Sequence, residues 1–182
     1  MSRSKAATVG IACTAGAFAA VMAMSGTANA APPESRGVHL TCVDINSGIT
    51  YSTNGAGTLS SSDPGSPNPQ KMKLTSSITA PLNIPANSLT TTIRMTGGVT
   101  FSGTANLPMN AGNPITLGPV PAAARIAGGT SIILLDTSAA APSATNYSVR
   151  IQATFAGTAA DIRCAGKQDT VPPATGPTPF TF

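Results

Sequence analysis

Ten consecutive residues, Asn146–Phe155 (NYSVRIQATF), place the tightest limit on what this chain can fold into. Tyr147, Val149, Ile151, Ala153 and Phe155 fall on one side, and Ser148, Arg150, Gln152 and Thr154 on the other. A two-residue period is that of a strand with one buried face and one face in water. Cys164 follows shortly after, and Cys42 lies in the first strand-like stretch of the chain. Cys42 and Cys164 are therefore expected to tie the first and last strands by one disulfide.

Residues 1–30 read as a secretory signal peptide rather than as part of the fold. Arg3 and Lys5 form a basic start, Ala6–Met24 is an apolar run, and Ala28-Asn29-Ala30 offers the small residues a signal peptidase needs, with cleavage expected before Ala31. A lipid anchor on Cys13 would need a longer apolar stretch before it. No second apolar segment of about 20 residues is present to span a bilayer, so the mature product is expected to be secreted and extracellular.

Export fits the cysteines. Two cysteines remain after the leader, and in an exported chain such a pair reads as a bridge. Closing a loop of about 120 residues stabilises by roughly 4–5 kcal/mol on the loop-entropy account. Removing Arg3 and Lys5 from the ten basic residues leaves eight, against six acidic ones, so the net charge falls from +4 to +2. The eight cations are scattered, which excludes the dense basic surface that nucleic-acid binding requires.

The rest of the chain repeats the alternation. Val38, Leu40 and Cys42 share one face. Asn46-Ser47-Gly48 makes a turn into Ile49, Tyr51 and Thr53, and Asn54–Gly57 reads as a bulge or a second turn. Ser60–Gln70 is a Pro-rich loop. Lys71–Thr79 alternates with Met72, Leu74, Ser76 and Ile78 inward, and Ser88–Thr96 does so with Leu89, Thr91, Ile93 and Met95. Gly97-Gly98 turns the chain into Val99, Phe101, Gly103, Ala105 and Leu107. Ile115–Leu117 among prolines suits an edge strand, Ala122–Ala127 supports at most a helical turn, and Thr130–Asp136 (TSIILLD) suits a central, doubly covered strand. Residues 165–182 carry prolines and no period, and read as a flexible Pro-rich C-terminal tail.

The expectation is an all-β domain over 31–164, an antiparallel immunoglobulin-like β-sandwich of about eight or nine strands with one disulfide. The alternative is a closed β-barrel. In leader, size and single-disulfide layout the chain resembles the small exported actinobacterial β-sandwich proteins of unassigned function. The resemblance rests on pattern and carries no site residues.

Catalytic, cofactor and metal residues are expected to be none. His39 is the one histidine, placed on the outward face of an expected edge strand, and no G-x-S-x-G elbow presents a serine. Asp44 and Asp161 are the carboxylates most able to converge for glycoside hydrolysis, because the disulfide draws their neighbourhoods together, although Arg163 could equally pair with Asp44. Of the aromatics that could stack on sugars, only Phe180 and Phe182 are expected to be exposed. Asp44–Gly48 lacks the full pattern of a calcium loop, and Asn146-Tyr147-Ser148 is a glycosylation sequon that a bacterial-type leader makes coincidental.

The reading is a secreted, non-enzymatic binding or structural protein whose partner is an unknown extracellular protein or cell-surface component. The alternative is a carrier of a small apolar ligand, with a cavity among Met72, Ile93, Met95, Phe101, Leu134 and Val149. A hydrolase would need His39 or two aspartates to meet in a cleft.

Overall fold

The computed structural model describes residues 30–155, 157–170 and 176–182; the expected signal peptide, apart from Ala30, lies outside them. The chain forms one antiparallel sheet of eight strands. In chain order these are β1 (Ser35–Asp44), β2 (Thr50–Ser62), β3 (Lys71–Thr79), β4 (Thr90–Arg94), β5 (Thr100–Gly103), β6 (Pro114–Pro121), β8 (Val149–Phe155) and β9 (Thr158–Gln168). β7 (Ser131–Ile132) and β10 (Phe180–Thr181) make a separate two-stranded pair.

The spatial order β5-β4-β8-β9-β1-β2-β3-β6 brings the edge strands β5 and β6 round to each other. A bridge joins Phe101 to Ala122, and Ala123 N–H donates to Thr100 O at 3.0 Å. The sheet is therefore a nearly closed, barrel-like wrap whose two halves face each other across one core. The core takes the alternate residues expected of it. Val38, Leu40 and Cys42 on β1, Met72 and Leu74 on β3, Ile93 on β4 and Val149 on β8 are all buried. Tyr147 departs from the expected inward face. It precedes β8 and lies half-buried on the outer side, between two arginines.

The disulfide is where the spacing placed it, though between neighbours within one sheet. Cys42 and Cys164 sit directly opposite each other on β1 and β9, 4.0 Å apart at Cα. That close approach continues at Gly166, where a Cβ would collide with the carbonyl oxygen of His39. Any larger residue there would push β9 away from β1. The Asn54 stretch resolves as a bulge: Asn54 has φ +55° and the β1–β2 register slips beside it.

Four expectations are corrected. β1 lies between β2 and β9, so His39 is on a central strand rather than an edge, because β1 pairs with a strand far away in sequence. Leu107 points into solvent, 68% exposed, while Asn106 is buried. The strand ends at Gly103, and the alternation with it. Thr130–Asp136 is not a central strand: Ser131–Ile132 pairs with β10, and Leu134 makes an isolated bridge to Met95. The run buries Ile132 and Leu134 as a cap on the core, and a continuous apolar run signals burial without signalling ladder partners.

The last correction concerns the tail. Residues 165–168 complete β9, and Phe180 and Phe182 are buried. Arg36 fastens this segment, donating to Thr178 O at 3.0 Å and Pro179 O at 2.9 Å, with its guanidinium over the Phe180 ring. Two aromatic side chains bury enough apolar area to offset ordering a short segment.

Candidate binding cleft on the outer face of the sheet

The outward residues of β1 and β9 are not all open to water, because the chain between β7 and β8 folds back over them. That excursion leaves the sheet at Thr137, whose N–H donates to Gly166 O at 2.9 Å, and returns at Ser148, whose N–H donates to Cys164 O at 2.9 Å. The Asn146 amide donates to the carbonyls of Thr137, Ala140 and Ala141, pinning the loop from within. This engagement also leaves the sequon asparagine committed to the fold.

Between the loop and the sheet lies a cleft of about 470 Å³. Its floor is His39, Thr41 and Val43 of β1 with Ala165–Lys167 of β9. Thr50, Thr53 and Asn54 of β2 form one wall, and Ser138–Pro142 form the other. Hydroxyls, one amide, one imidazole and one ammonium thus alternate with small aliphatic groups.

His39 is oriented before anything binds. The Asp169 carboxylate lies 2.6 Å from His39 Nδ1. Asp169 is itself held by its N–H, which donates to Gly37 O at 2.9 Å. Its carboxylate rests over Gly37, where a Cβ would collide with Oδ2. A carboxylate on Nδ1 fixes the ring and leaves Nε2 to face outward, and among the described residues Nε2 takes no hydrogen bond. Lys167 stands opposite His39 across the β1–β9 ladder. Asp169 lies in the segment expected to be a flexible tail. Its contact with His39 spans 130 residues of sequence, and no local pattern announces it.

Two of the cleft hydroxyls are engaged. Ser138 donates its hydroxyl to Asp136 Oδ1 at 2.7 Å, and Thr41 Oγ1 accepts from the Asn54 N–H at 3.0 Å. The Asp136 carboxyl is held below its ordinary range by the Ser138 hydroxyl and N–H, with help from Lys167.

Asp44 and Asp161, the two carboxylates most able to converge, are neighbours away from the cleft. Asp161 N–H donates to Asp44 Oδ1 at 3.1 Å. Arg163 pairs with Asp161 rather than with Asp44. Asp161 is gripped side-on by two guanidinium forks, from Arg150 and from Arg163, with all four bonds at 2.8 Å. The Arg150 fork, joined against burial by that of Arg163, lowers its carboxyl to about 2. Burial would raise the Asp44 carboxyl, but hydrogen bonds from the Ser47 hydroxyl and the N–H groups of Asn46 and Asp161 bring it below its ordinary value. Glycoside hydrolysis needs one carboxylic acid of raised pKa, and neither group is one. Tyr147 stacks between Arg94 and Arg163, at 4.9 and 4.4 Å from their guanidinium carbons.

The interior offers little space by comparison. The six residues expected around an apolar cavity are all 2% exposed or less. An apolar void of about 30 Å³ lies elsewhere, lined by Tyr51, Pro81, Ile84, Leu89, Ile115, Ile151, Ala153 and Ile162. No cluster of histidine, cysteine or carboxylate side chains able to hold a metal occurs among the described residues, and no helix there is long and apolar enough to cross a membrane. Compared with known proteins, the chain matches no family, no curated protein and no solved structure.

Proposed function

We propose that this chain is an exported, non-enzymatic binding protein of the cell exterior that holds its partner in the cleft over β1 and β9. The partner would be an extracellular protein or cell-surface component. The observation that carries the reading is a cleft of ligand size built beside the oriented His39–Asp169 pair; clefts of about 420 and 440 Å³ elsewhere on the surface have no such pair. The outer cleft of about 470 Å³ falls within the roughly 300–1,000 Å³ range of ligand sites. The inner void of about 30 Å³ is no larger than one or two waters, which weighs against the small-ligand carrier. Against hydrolysis stands the Ser138 hydroxyl of the same cleft, which donates to Asp136 rather than to the oriented His39.

Export rests on the leader pattern of residues 1–30 and on the Cys42–Cys164 bond, which persists in oxidising compartments. The resemblance in layout to exported actinobacterial proteins points the same way. Native mass spectrometry of protein recovered from culture medium tests it. The reading expects a chain beginning at Ala31 and two hydrogens lighter than its reduced form. A mass beginning at Met1, or a bound apolar molecule released on denaturation, contradicts it.

A further inference from the structure

The four large apolar side chains that are most exposed among the described residues gather at one end of the barrel. Ile45 (37% exposed) and Ile49 (55%) lie in the β1–β2 turn, Leu82 (40%) in the β3–β4 connection and Leu107 (68%) in the β5–β6 connection. Antiparallel pairing puts all three connections at the end where β1 finishes: Asp44 faces Ile162 in the first half of β9, and Thr79 at the end of β3 faces Pro114 at the start of β6.

The connections form one continuous surface. The β3–β4 segment crosses the mouth of the barrel and pairs with the β5–β6 segment through reciprocal Ile84–Met109 bonds of 2.8 and 2.9 Å. Tyr51 and Pro81 line the same small void, which sets the β1–β2 hairpin beside that crossing. Leu107 is held outward by its neighbour. The buried Asn106 amide accepts from the N–H groups of Ser88 and Leu89 and donates to Pro85 O and Leu107 O.

Segments 45–49, 80–89 and 104–113 contain no Asp, Glu, Lys, Arg or His. We propose that this uncharged end is a self-association surface, on which a second copy of the chain docks end to end about a two-fold axis. A two-fold contact apposes a surface to itself, so it needs no complementary charge and tolerates no like charge. This end meets that condition, whereas the remaining faces carry the net positive charge. A charged foreign partner would have its ions desolvated with no counter-ion to meet them. A lipid surface would strip water from the exposed Asn83, Asn87, Asn110 and Asn113 amides and from irregular backbone. In a protein contact those amides form a polar rim around the apolar residues.

Sedimentation equilibrium of the purified protein tests this, alongside the variants Ile49→Lys and Leu107→Lys. Both residues are largely exposed, so each variant should melt at the native temperature. The wild type is expected to convert from monomer to dimer as concentration rises. Each lysine is expected to weaken that association by at least about tenfold, through a charge buried without a partner. A wild type that stays monomeric throughout, or a dimer indifferent to both lysines, overturns the proposal. So does a monomer that co-sediments with phosphatidylcholine vesicles, which would assign this end to lipid.

Discussion

Asp169 reaches His39 across the β1–β9 ladder, with 2.6 Å between carboxylate and Nδ1, and it can do so only because residue 37 is a glycine. The imidazole is thereby turned toward the cleft by a contact that lies outside it. A methyl group at position 37 would strike Asp169 Oδ2, which can swing away because it is the end of a side chain.

Gly37→Ala therefore frees the ring at small cost, within about 1 kcal/mol, the usual worth of an exposed pair. Nitrogen NMR of the sole histidine checks it. In the native protein neutral His39 should carry its proton on Nδ1, donating to Asp169. In Gly37→Ala the ring should return to the mixture of tautomers of free imidazole. An unchanged tautomer in the variant would mean that Gly37 does not set the geometry.

The Asp161 forks predict how the protein responds to acid. Its folded pKa of about 2 lies below its unfolded value of about 3.9. The stability it contributes is thus complete above pH of about 4 and is lost as pH falls through about 2, roughly 2–3 kcal/mol in all. Asp44, Asp63 and Asp136 are lowered as well and act in the same sense. Asp161→Asn should cost about 3 kcal/mol at neutral pH, because the buried Arg163 loses its counter-charge. It should also flatten the acid dependence, which urea unfolding between pH 2 and 7 measures.

Thr91 offers a stabilising change. Its hydroxyl is fully buried on the inner face of β4 and has no hydrogen-bond partner among the described residues. Thr91→Val removes an unsatisfied polar atom while keeping a β-branched shape, so stability should rise by about 1 kcal/mol. Ser148→Ala is the contrast, since the buried Ser148 hydroxyl donates to Cys164 O at 3.2 Å. That variant should lose a comparable amount. Thermal melts of both variants decide, and a destabilised Thr91→Val would show that the hydroxyl has a role.

The strands of this molecule were legible where burial alternates locally. β3 begins and ends at the residues expected, and Val149 and Ile151 face the core as their period required. Contacts across many residues were not legible. His39 looked like an edge residue because nothing local shows that β9 lies beside β1. Phe180 and Phe182 looked exposed because prolines hide the short pairing of β10 with β7. The Cys42–Cys164 bond is the exception, since cysteine chemistry marks a distant contact in the sequence itself. The cleft had no signal at all: its wall is an irregular loop, and its orienting carboxylate lies far along the chain from the imidazole it holds.

The central claim is that the cleft over β1 and β9 is the binding site, and a cleft-filling variant tests it most directly. Thr53→Trp with Ala140→Trp places indoles on two exposed lining residues whose side chains make no hydrogen bond among the described residues, so the fold should stand. Labelled protein would be added back to cells of the producing organism and the bound fraction measured as the concentration rises. The account predicts saturable binding of the native protein and its loss in the filled variant at an unchanged melting temperature. Equal saturable binding by both proteins, or none by the native one, would contradict it.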